Sequence, residues 1–167
     1  YGFLWKQQIQ NYFEFVSENY RENFGITFNI AEYLPFDSDD SLESCHSFFN
    51  DLRKNNSYNG DILVAFTRQR ISGCGGMANY CISPQKAREM AKKGIIYLGD
   101  EGCYSLIVEL NSKCPEKVIA HEIGHNFELG HVDDPRSIMY PGGCGCQTEW
   151  DDYSREKMLE NKWKMFK

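Results

Sequence analysis

With 167 residues, 41% of them hydrophobic and 25% charged, the chain has ordinary globular composition and length enough for one full hydrophobic core. Its net charge of −6, with no cluster of Lys and Arg, argues against nucleic acid or an anionic membrane surface as partner. The apolar runs at 62–66 and 105–110 fall far short of the ~20 residues a membrane span needs.

In chain order, Trp5, Ile9, Tyr12, Phe13, Val16 and Tyr20 recur every three or four residues and predict an amphipathic helix ending near Gly25. ITFNIAEYL (26–34) reads as a strand closed by Pro35. The acidic turn DSDDSLES offers Asp and Ser caps to a helix carrying Phe48, Phe49 and Leu52, which NNSYNG stops. DILVAF (61–66) suits a buried central strand, and the glycine-rich GCGGMANYC (73–81) an edge strand. SPQKAREMAKK reads as a surface helix with Pro84 in its first turn, and IIYLGD and SLIVEL as further strands. From Pro115, EKVIAHEIGHNF makes a strong helix. Loops holding Pro135, Pro141, Gly142, Gly143 and Gly145 follow, then a last helix capped by Ser154 with Leu159, Trp163 and Phe166 on one face. The pattern predicts one α+β (mixed α/β) domain over 1–167, with an upper lobe at 1–131 and a lower lobe at 132–167.

Seven cysteines stand at 45, 74, 81, 103, 114, 144 and 146, so one is left over from any complete pairing within the chain. The connectivity is not deducible. Cys144 and Cys146, separated only by Gly145, are expected to reach different partners, because a bond between them would be strained. The chain opens YGFLWKQQIQ, without an initiator Met or a signal peptide, and reads as the mature, processed form of a secreted, disulfide-bonded protein. A disulfide-rich hyperthermophile cytosol is the exception to that reading.

Three of the four histidines lie in HEIGHNFELGH, residues 121–131. On a helix, His121 and His125 project from the same face and can reach one ion at about 2.0–2.1 Å. Glu122 points roughly 100° around the axis, beside the ion and within reach of a water. That division is the HExxH zinc-protease arrangement. His131, six residues past His125, is the candidate third ligand, and three protein ligands leave one position open, as in catalytic zinc.

HEIGHNFELGH followed by SIMYP resembles the metzincin zinc endopeptidases, whose motif is HExxHxxGxxH with a later Met-containing turn. The step from His131 to Met139 looks like the matrixin group. HEIGHNF, the order of elements, GCGGMANYC and TEWDDYSREKML look more like the adamalysin (reprolysin) group. The resemblance implies a twisted sheet with an antiparallel edge strand, an active-site helix and a small C-terminal lobe. It implies His121, His125 and His131 as ligands of one Zn²⁺, Glu122 as general base and Met139 as the Met-turn residue. A protein or peptide substrate would lie extended along the edge strand at Gly76, Met77 and Ala78, with a pocket between the active-site helix and residues 139–143. A monomer is expected.

Glu128 stands where the family has Gly. Either the turn is made there with ~1 kcal/mol of strain, or it shifts to Gly130 and makes Asp133, Asp134 or Glu128 itself candidate ligands. No strand is read between Tyr1 and the opening helix, where the family usually has one, and with Pro141 two residues after Met139 the extra tyrosine ligand of astacins is not expected. His46 reads as a surface or packing residue. The acidic turn at 37–40 lacks EF-hand spacing, so no motif supports Ca²⁺. The alternative function is a non-catalytic zinc-containing module that has lost turnover through Glu128.

Overall fold

The computed structural model describes residues 4–37, 39, 41–56, 58–69, 71, 73–81, 92, 102–108, 113–141 and 146–163. The expected surface helix at 83–93 (Lys92 apart), the expected strand at 95–100, the end of SLIVEL, Cys144 and Phe166 lie outside them.

Helix α1 (Leu4–Phe24) buries Ile9, Val16, Tyr20 and Phe24, the inward row that the sequence spacing requires. It ends at Gly25, whose φ of 70° is a left-handed position that costs glycine little. The following residues do not form the expected strand. Ile26, Phe28 and Ile30 alternate half-buried with exposed neighbours, as a strand would, but the backbone is satisfied by α1 instead. The Phe28 N–H donates to Ser17 Oγ at 2.9 Å and the Ile26 N–H to the Tyr20 carbonyl. Alternation records one buried face; a ladder also needs a neighbouring strand.

Helix α2 (Cys45–Asn55) is capped by Ser44, whose side chain accepts the Ser47 N–H, and buries Phe48, Phe49 and Leu52. Among the described residues three strands form the sheet: β1 (Leu63–Phe66), β2 (Gly76–Ala78) and β3 (Tyr104–Ile107), in the order β1-β3-β2. β1 runs parallel to β3, and β2 antiparallel to it. Among the described residues β3 is therefore central and buried throughout, whereas β1, expected at the centre, lies at one end with only Ala65 buried. β3 separates two cores. Tyr104, Leu106 and Val108 face the α2 side, and Ile107 faces the aromatic core around Tyr20, Phe127 and Trp150.

Helix α3 (Pro115–Asn126) starts on Pro115, which has no N–H to lose there, and packs between β3 and α1. Helix α4 (Asp152–Asn161) is capped by Asp151, not by the expected Ser154, which lies buried within the helix. Its inward row is Ser154, Met158 and Asn161, while Leu159 and Trp163 are exposed. On that row Met158 packs into the aromatic core, and Asn161 Nδ2 donates at 2.9 Å to the Phe127 carbonyl at the end of α3. Disulfides join Cys45 to Cys74, Cys81 to Cys103 and Cys114 to Cys146, so Cys146 does avoid its neighbour Cys144. No described helix is long and apolar enough to cross a membrane.

Candidate functional site

The exit from α3 decides where the third histidine goes. The Glu128 N–H donates to the His125 carbonyl and the Leu129 N–H to the Gly124 carbonyl, the paired bonds of a Schellman helix end. That motif needs a left-handed residue between helix and loop, and Glu128 supplies it with φ 63°. Gly130 is not left-handed, so the turn stays where the family has glycine. The chain then doubles back and His131 meets the two helix histidines.

The Nε2 atoms of His121, His125 and His131 lie 3.1–3.2 Å apart. Among the described residues these three form the one group able to hold a metal, which leaves out Asp133, Asp134 and Glu128. Asp134 is occupied by a forked pair with Arg136. Three donors at 2.1 Å from one ion, at tetrahedral angles, would be about 3.4 Å apart, close to this spacing.

Hydrogen bonding fixes the imidazoles in the form a metal needs. His121 Nδ1 lies 2.6 Å from the Ile138 carbonyl, and His125 Nδ1 lies 2.7 Å from the Leu129 carbonyl. A carbonyl only accepts, so both Nδ1 atoms carry the proton and both Nε2 atoms present lone pairs. Burial holds His121 below the usual histidine range, and burial followed by the His121 charge brings His125 down to about 4. Neutral imidazoles whose lone pairs converge repel one another unless a cation sits between them. The donor set therefore fits zinc.

Met139 lies fully buried beneath α3. A Cβ on Gly124 would come within 2.6 Å of Met139 Sδ, so the bare helix surface at Gly124 is what admits the turn. The Met139 N–H donates to Ser137 Oγ, which in turn donates to Asp151 Oδ2 at 2.6 Å. The Ile138 N–H donates to the Glu149 carbonyl. These bonds hold the Ile138 carbonyl that orients His121.

Glu122 is 5% exposed, and its Oε2 is buried with no hydrogen-bond partner among the described residues. Burial pushes its carboxyl up to about 8, well above the usual carboxylate range. It faces Gly76 on β2. The Val108 N–H donates to the Gly75 carbonyl and the Asn79 N–H to that of Tyr104, so residues 75, 77 and 79 spend their backbone groups on β3. Gly76 and Ala78 turn theirs to the other side, where no strand pairs with β2 among the described residues. Met77 points its backbone at β3 and its side chain into the α2-side core.

Asn126 is the residue that the sequence reading left out. Fully buried, it donates from Nδ2 to the Asn79 and Tyr104 carbonyls at 2.8 and 3.1 Å and accepts from Ser105 Oγ at 2.7 Å. Its own carbonyl accepts the Cys81 N–H. The active-site helix is thereby locked to β2 and β3 together. A polar residue in the buried row of an otherwise apolar helix turn was the available signal. Ile119, Ile123 and Phe127 are core contacts, with Val118 half-buried beside them. Residues 142–143 of the expected pocket lie outside the described residues.

The fold is similar to that of archaemetzincin from Methanopyrus kandleri, with a TM-score of 0.58 at 14% identity over 93% of this chain and 88% of that one. No curated protein matches the sequence. The reprolysin-like metallopeptidases of family M12B match residues 6–132, a span that carries the whole histidine triad and Glu122. The chain belongs to that family.

Proposed function

We propose that this protein is a zinc-dependent endopeptidase that hydrolyses peptide bonds of extended protein substrates. The observation that carries the reading is the convergence of three histidine Nε2 atoms, with, next along the same helix from His121, a buried carboxyl whose Oε2 has no hydrogen-bond partner among the described residues. Zinc, when bound by His121, His125 and His131, supplies the Lewis acidity that polarises a carbonyl and acidifies water.

The rest is done by the chain's own groups. The backbones of Gly76 and Ala78 take up an extended peptide by strand addition. Glu122 removes a proton from the attacking water as its oxygen bonds to the scissile carbonyl carbon. The same proton then passes from Glu122 to the departing amine nitrogen as the C–N bond breaks. Burial of Glu122 keeps competing water from solvating the carboxylate. Met139 supports the triad from below and meets no substrate. Because every one of these groups comes from one chain, a monomer suffices. Three disulfides support an oxidising, extracellular setting.

The left-handed Glu128 supports catalysis over a non-catalytic module, since His131 reaches the triad despite the missing glycine. The test compares wild type with Glu122→Ala on a denatured protein, with zinc content measured for both. Internal cuts by the wild type alone, at about one zinc per chain in each, are expected. Zinc in both without cleavage by either would overturn the peptidase reading, and zinc in neither would overturn the metal site as well.

A further inference from the structure

We propose that Gly76 is the positioning residue for Glu122, joining the strand that receives the substrate to the group that moves the proton. This rests on the peptidase reading above. A Cβ built on Gly76 would lie 2.5 Å from Glu122 Oε1 and 2.8 Å from both its Cδ and its Cγ. Rotating the carboxylate relieves only the first of these contacts. The approach to Cγ requires the whole side chain to swing, and Glu122, being 5% exposed, has packed neighbours to swing against.

Backbone conformation does not explain the glycine. Gly76 has no positive φ, unlike Gly25, Gly73 and Gly102, and it sits within a paired strand. Glycine there weakens the strand by giving up side-chain contacts and adding unfolded-state freedom. Close approach of another group is the remaining reason for it, and that group is the carboxylate-bearing side chain of Glu122. The same residue turns its N–H and C=O to the side of β2 that has no partner strand among the described residues. One residue thus holds the base on one side and offers backbone bonds to a substrate strand on the other, so the two stand at a fixed separation.

The test uses zinc-loaded wild type, Gly76→Ala, Glu122→Asp, Glu122→Ala and the two double variants, with kinetics, zinc content and thermal unfolding measured for each. Gly76→Ala is expected to lower kcat about 100-fold while KM moves less than about threefold, at unchanged zinc. Added to Glu122→Asp, whose carboxylate is one methylene shorter, it should cost less than about threefold more. Its Tm should fall by roughly 3–8 °C in the wild-type background and by under about 1 °C beside Glu122→Ala, where the space is vacant. Gly60→Ala, whose Cβ would meet only Tyr58 at 3.9 Å, should change none of these. Full kcat in Gly76→Ala, or an equal Tm loss with and without the Glu122 side chain, would overturn the proposal. Should the wild type cleave nothing, the peptidase reading fails by itself. The Tm comparison then decides the contact alone: a loss that vanishes with Glu122→Ala supports it, and a loss that persists overturns it.

Discussion

Replacing Glu128 by Gly should stabilise the protein without improving the metal site. Glu128 sits at φ 63°, where a β-carbon crowds the backbone at a cost of about 1–2 kcal/mol. Glycine removes that crowding but gains freedom in the unfolded chain, which offsets about 0.5–1 kcal/mol. The net gain is then roughly 0.5–1 kcal/mol, or about 1–4 °C in Tm for a chain of this size. Glu128→Ala keeps the β-carbon and so should bring no such gain. Thermal unfolding of wild type and both variants, with saturating zinc and with chelator, measures this. The strain resides in the backbone and not in the metal bonds, so the increment should be the same in both conditions. Zinc affinity should stay within about threefold, because His131 already stands 3.2 Å from both partners. A destabilised Glu128→Gly, or equal Tm values for the Gly and Ala variants, would refute the strain argument. An inert wild type that Glu128→Gly makes active would refute the view that His131 is correctly placed.

Two further perturbations reach the supports of the site. Burial raises the Asp151 carboxyl, but hydrogen bonds from the Ser137 side chain and from Ser154 outweigh it and leave the group below its ordinary value. A carboxyl depressed on folding contributes stability in full above its unfolded pKa of about 3.9 and loses it as pH falls through the lower folded value. Asp151→Asn should therefore cost about 1 kcal/mol at pH 7, allowing for solvent screening, and progressively less toward pH 2, as urea unfolding at the two pH values will show. A cost that does not change with pH would count against the charge-assisted bonds. Asn126→Ala should cost about 2–3 kcal/mol in urea unfolding, and Asn126→Asp should not recover it, since a carboxylate cannot donate to the Asn79 and Tyr104 carbonyls. A loss under about 0.5 kcal/mol would show that the clamp between α3 and the sheet is dispensable.

The chemistry was more legible in the sequence than the architecture around it. His121 and His125 are related by helical geometry, and that relation survives any detail of the surrounding packing. His131 was read as the third ligand and joins the triad; what the sequence left open was whether Glu128 or Gly130 makes the turn, because that depends on the φ of one residue. The strand at 26–34 failed for a related reason: its alternating burial is local information, whereas pairing depends on what lies alongside. Leu159 and Trp163 were placed on one face of the last helix, but the sequence did not say which way that face points: both are exposed, and Ser154, Met158 and Asn161 turn inward, Asn161 bonding to the end of α3. Gly76 reads in the sequence as a loosened edge. Only the fold brings Glu122 against it.

The edge formed by β2 is three residues long, too short to hold its shape unaided. Cys74, two residues before it, is bonded to the start of α2, and Cys81, three residues after it, is bonded to Cys103 at the entrance to β3. Both ends of the template are thereby anchored to rigid elements. Ordering a free segment costs about 1–2 kcal/mol per residue, and here that cost falls on folding and not on substrate capture. On the proposed endopeptidase reading, an arriving peptide would have only its own disorder to lose. The edge that would receive it is ordered when the disulfides close, before any substrate is met.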